Sequence, residues 1–110
     1  MTVLSVFSRA LGGALLVNAV PHGVSGVQGR PFPTPFADPP GEGMSPPLVN
    51  VAWSAINVSL GLLVLRDGVR SRAEAVGALV GGVAMAFGVA YHFGSVMAGG
   101  RGLRGIRRVR

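Results

Sequence analysis

The residues best equipped for chemistry are two histidines, His22 and His92, each set in an otherwise apolar stretch. An imidazole can ligate a metal or haem, bind a quinone oxygen, or switch charge near neutral pH. The competing reading is that each sits at a helix end and bonds a loop carbonyl. Asn18 stands one helical turn before His22, Tyr91 adjoins His92, and Asn50 opens another apolar run. The candidate site is therefore a polar layer of Asn18, His22, Asn50, Tyr91 and His92, with Arg30 able to cover it. Two ligands are too few for a closed zinc site, and the chain has no cysteine, which also removes disulfide and thiol chemistry. The identity of any metal stays open. No nucleophile–base pair, Walker loop or dinucleotide fingerprint occurs. No cofactor is expected, and the chain is not read as an enzyme. Gly23, Gly26 and Gly29 follow His22 at three-residue spacing, which fits a close-packed helix exit rather than a phosphate loop.

The elements that position these residues are set by composition. Of the 110 residues, 49% are hydrophobic and 13% charged, about half the charge of an ordinary soluble domain. With a mean hydropathy of +0.53, lipid rather than water is the solvent this implies. A spanning helix needs about 20 apolar residues. Three runs qualify, giving helices near 3–27, 47–66 and 72–99. The expectation is an all-α membrane protein: one compact bundle of three transmembrane helices, up-down-up, with a proline-rich first loop. In the first run Arg9 is close enough to the end to snorkel toward headgroups. The rival for this run is a signal peptide cut after Ala19, but the n-region is poor in positive charge. The second run follows Pro46-Pro47, suited to helix N-termini, and stops at Arg66-Asp67-Gly68. The third opens with Ser71 and Glu74 at capping-box spacing.

Between the first two runs, residues 29–47 hold seven of the eight prolines. Proline removes donors and pushes its preceding neighbour to extended backbone, so this segment is read as an extended, partly polyproline-II loop on one membrane face. Phe32 and Phe36 are expected to dip into the interface. In an up-down-up arrangement the first and third helices are parallel. His22 and His92, at similar depths in their runs, then share a level with this loop.

Polar and small residues mark the packing faces. Asn50, Ser54, Asn57 and Gly61 form one stripe of the second helix. Interhelical hydrogen bonding is the favoured reading and a polar path the alternative. On the third helix Ala78, Gly82, Ala86, Ala90, Gly94 and Ala98 repeat every four residues, and Gly77, Gly81, Ala84 and Gly88 make a second ridge. Small residues let helices approach closely, within the chain, with another copy, or with a larger membrane complex.

Net charge is +6 and all ten basic residues are arginine. Arg66, Arg70 and Arg72 lie between the second and third runs, and five arginines fill the tail 101–110. Nucleic acid is an unlikely partner because both clusters abut apolar spans, where arginines anchor helices to anionic lipid. Counting arginines gives four on the N-terminal side and six on the other, a small bias toward an inside C-terminus that leaves dual topology open.

The segment Pro21-His22-Gly23-Val24-Ser25-Gly26, the loop Arg30-Pro31-Phe32-Pro33-Thr34-Pro35-Phe36-Ala37, the opening Ser45-Pro46-Pro47-Leu48-Val49-Asn50-Val51-Ala52-Trp53 and His92-Phe93-Gly94 together resemble a group of small bacterial membrane proteins without assigned activity. The second opening is shifted by one residue from the group's pattern. A fainter likeness, through Arg9, Gly13 and His22, is to DoxX-like membrane proteins, which have four helices. The resemblance implies a multi-pass protein of the bacterial cytoplasmic membrane. The leading expectation is a non-enzymatic accessory or structural subunit that packs with itself or a larger membrane partner. The alternatives are an oligomeric channel or transporter, and a redox or cofactor-binding protein using the histidines.

Overall fold

The computed structural model describes residues 2–108. It contains three long helices, α1 (Val3–Val27), α2 (Pro47–Val64) and α3 (Arg72–Met97), each long and apolar enough to cross a membrane. A two-stranded sheet of β1 (Phe32–Pro33) and β2 (Met44–Ser45) lies between α1 and α2, and a 3-10 helix (Gly102–Arg108) follows α3. The ends of α2 and α3 fall two residues short of the expected limits. Arg110 of the expected basic tail lies outside the described residues.

The burial pattern is that of a protein whose solvent is apolar. Among the described residues Ala19 and Pro33 are buried apolar side chains, while Arg9, His22, Thr34, Ser45, Asn50, Asn57 and Glu74 are all buried. Leucines, valines and Phe87 point outward. In lipid, apolar side chains gain nothing by clustering together, whereas unsatisfied polar groups are costly, so the polar groups turn inward.

The expected compact bundle does not form. α1 lies in the middle and makes nearly all the inter-helix contact, with α2 on one flank and α3 on the other. The molecule is thin, 43 × 38 × 18 Å. Glycines explain why both flanks crowd onto α1. A Cβ on Gly26 would meet Val51 and the Pro47 carbonyl, and one on Gly61 would meet Leu16. On the other flank, Gly81 faces the Ala10 carbonyl, Gly77 faces Val6, and Gly13 of α1 faces the Ala78 carbonyl.

Gly77, Gly81 and Gly82 are thus packing residues of the α1–α3 seam. The C-terminal part of the predicted ridge is not. Gly88 and Gly94 have open space where a Cβ would stand, and Ala86 and Ala90 are exposed. The periodicity is continuous, but only its N-terminal half meets a helix of this chain.

α1 begins with a capping box formed by Thr2 and Ser5. The box expected at α3 is half formed. Ser71 Oγ accepts from the Glu74 amide at 3.0 Å, but the Glu74 carboxylate accepts from the Arg70 amide, at 2.9 Å. That carboxylate also faces Arg9, whose guanidinium comes within 3.4 Å. Arg9 Nε donates to the Gly68 carbonyl at 3.0 Å. Arg9 is 7% exposed; it ties the α2–α3 connection to α1.

The proline-rich segment is more ordered than a polyproline-II loop. Phe32 pairs with Ser45 and Pro33 with Met44 in an antiparallel register. Between them the chain turns back, with the Ala37 and Gly41 amides donating to the Thr34 carbonyl and the Gly43 amide to the Pro39 carbonyl. The Asp38–Pro39 peptide is cis. Prolines here shorten the strands but leave the inward donors intact, so a small cap forms.

Candidate functional site

Asn50, in the first turn of α2, organises the capped end of the protein. Its side chain is wholly buried. Nδ2 donates to the carbonyls of Phe32, Ser45 and Pro46 at 3.0, 3.2 and 3.3 Å. These acceptors fix the amide orientation, since only the NH2 group can face three carbonyls. Oδ1 therefore faces His22 Nδ1, 2.8 Å away. One side chain joins α1, α2 and both strands. Thr34 and Ser45 exchange a hydroxyl hydrogen bond beside it, both buried.

His22 is 1% exposed and ringed by aromatic edges. Phe32, Trp53 and Phe93 all meet it edge-on, with centroids at 5.4, 6.4 and 5.6 Å. Because Asn50 Oδ1 is an acceptor, neutral His22 carries its proton on Nδ1 and offers Nε2 as an acceptor. Among the described residues no protein group hydrogen-bonds that Nε2. Trp53 Nε1, a buried donor, is likewise without an acceptor. An unmet buried donor costs about 1–3 kcal/mol.

His92 has separate partners. Its Nε2 donates to the Gly41 carbonyl at 2.7 Å, and its Nδ1 accepts the Leu103 amide at 3.0 Å. It clamps the cap to the C-terminal 3-10 helix. Glu42 strengthens that clamp, with Arg101 Nε at 3.3 Å and Arg104 at 3.2 Å. Two of the tail arginines thus pair with the cap rather than only with lipid headgroups.

Phe93 stands between the two histidines, 5.1 Å from the His92 ring as well as 5.6 Å from His22. The rings are near one another but share no ligand position shown by a common hydrogen bond. No group of three or more His, Asp or Glu side chains gathers among the described residues. Both histidines do line one groove of about 670 Å³. Its floor is α1 from Phe7 to His22, α3 forms a wall through Gly81 and Gly88, and Trp53, Pro33 and Thr34 close one end.

The other candidates divide. Asn18 lines the groove and donates to Asn57 Oδ1 at 3.1 Å, while Asn57 donates to the Trp53 carbonyl at 2.8 Å. Ser54 donates to the Ala19 carbonyl at 2.8 Å. The polar stripe of α2 is therefore turned onto α1. Arg30 and Tyr91 are not part of the layer. Arg30 is exposed, its amide held by the Ser25 carbonyl, and Tyr91 is 53% exposed, on the outer side of α3. Phe32 packs inward on His22, whereas Phe36 is exposed and touches Trp53 edge-on. Thr34, Ser45, Trp53 and Phe93 belong to the site and were missed. The Phe93 signal was its place beside His92, and that of Trp53 was its position three residues after Asn50.

Compared with protein-family models, curated proteins and solved structures, the chain finds no match.

Proposed function

We propose that this chain is a small non-enzymatic accessory or structural subunit of a bacterial cytoplasmic membrane, spanning it three times up-down-up, with the proline-rich cap and the tail on one side. It packs with another copy of itself or with a larger membrane partner. The observation carrying this reading is the uncovered half of the α3 ridge. Ala86, Ala90 and Gly94 line a second groove with Val20, Val24 and Met97, and no helix of the chain covers it. Small residues exposed to lipid give up contact that larger side chains would make, and they are enriched where helices meet. A thin three-helix layer also leaves an open face on which a neighbour can pack.

The polar groups support the same reading. The stripe from Asn50 to Asn57 is consumed in joining α2 to α1, which argues against an ion path. The histidines hold the cap and the tail, which argues for a structural use.

The test is bulk at the uncovered ridge. Ala90→Leu with Gly94→Leu should leave the monomer folded, because a Cβ at Gly94 meets nothing within 4 Å and Ala90 is exposed. Migration in native gels of mild-detergent extracts should shift from a larger species to the monomer. An unchanged larger species would count against this face, and a monomer before mutation would count against association altogether.

A further inference from the structure

Among the described residues, the groove beneath the cap contains an unmatched pair. Trp53 Nε1 is a buried donor without an acceptor. His22 Nε2 is an acceptor without a donor, because Asn50 holds the proton on Nδ1. Both side chains line the same groove, with ring centroids 6.4 Å apart. A hydroxyl is the simplest group that accepts one bond and donates another through a single atom.

The remainder of the groove is apolar and long. Its floor runs along α1 from Phe7 to His22, about 22 Å at 1.5 Å per residue. That exceeds one leaflet of a hydrocarbon core about 30 Å thick. The unmatched pair lies at the capped end, where the chain leaves the apolar layer. The arrangement is an apolar trough with one polar terminus.

We propose that the groove binds a single-chain amphiphile with a hydroxyl headgroup. The hydroxyl oxygen accepts the Trp53 indole N–H, the hydroxyl proton goes to His22 Nε2, and the chain lies along the α1 floor. This site is independent of the association face proposed above, whose key residues Ala86, Ala90 and Gly94 do not line this groove.

Trp53 is the sole tryptophan, so its fluorescence reports on this site alone. Purified wild-type protein in detergent micelles is titrated with 1-dodecanol and, separately, with the methyl ether of 1-dodecanol. The ether can accept from Trp53 but cannot donate to His22. The expected result is a saturable change in Trp53 emission, with the alcohol half-saturating at about tenfold lower concentration, as one hydrogen bond implies. His22→Phe should abolish the alcohol's advantage. Equal titrations by alcohol and ether, the result for a water-filled pocket or a non-specific acyl-chain groove, overturn the proposal. So does the absence of a saturable change. If His22→Phe does not fold, the wild-type comparison alone decides.

Discussion

Replacing Asn50 by alanine should do more than any other single polar change in the second helix. The substitution removes the bond to His22 Nδ1 and the two amide protons shared by the Phe32, Ser45 and Pro46 carbonyls. At a net contribution of about 0.5–1.5 kcal/mol per bond, three lost bonds amount to about 1.5–4.5 kcal/mol. Asn57→Ala is the internal control. It loses the contact with Asn18 and a bond within its own helix. Interhelical polar contacts in membranes average about 0.6 kcal/mol and reach about 1.7 kcal/mol. Both variants can be unfolded by increasing SDS in mixed micelles, with Trp53 fluorescence as the signal. The second readout is proteolysis within residues 36–43, which Asn50 should protect by holding both strands. Asn50→Ala should unfold at lower SDS than Asn57→Ala and be cut faster in the cap. Equal stability of the two variants, with the cap equally resistant, would falsify the assignment of Asn50 as the joint.

Further outcomes follow from the same contacts. Arg9→Leu or Glu74→Leu alone should lower stability in the SDS assay more than the double replacement Arg9→Leu/Glu74→Leu, because one change strands a buried partner; additive losses would contradict this. Gly81→Val should force α3 off α1 by driving a side chain into the Ala10 carbonyl, whereas Gly88→Ala should be tolerated; the comparison is folded yield, and equal yields would argue against the seam. His92→Ala should expose the chain around residues 101–105 to protease while leaving Trp53 emission unchanged, since its partners are Gly41 and Leu103. Single cysteines at Gly68 and Gly105 should react with impermeant thiol reagents from opposite sides of the membrane; labelling from the same side would refute three spans.

The three helices were legible because long uncharged runs have few other uses. That His22 and Asn50 share one end of the protein was also within reach, since His22 lies near the end of the first run and Asn50 opens the second. Their mode of contact was not, because it depends on Asn50 orienting toward three carbonyls supplied by the cap. For His92 the loop-carbonyl reading matches Gly41, but His22 bonds a side chain instead. Arg9 and Glu74 each looked like a feature of its own helix end, and 65 residues of sequence separate the pair. The flat arrangement was invisible because hydropathy fixes which segments cross, not which of them is central. That depends on Gly12, Gly13, Gly23 and Gly26 giving α1 small residues toward both neighbours. Tyr91 shows the converse error, because adjacency in a helix turns neighbours about 100° apart and places this ring outside while His92 points in.

The association account is tested most directly by a photo-crosslinking residue at position 90, with position 58 on the exposed face of α2 as the comparison, in native membranes. The account predicts that position 90 gives one discrete protein adduct, either a dimer of this chain or a conjugate with one larger membrane protein, and that position 58 gives lipid adducts alone. Lipid adducts alone at both positions would contradict it.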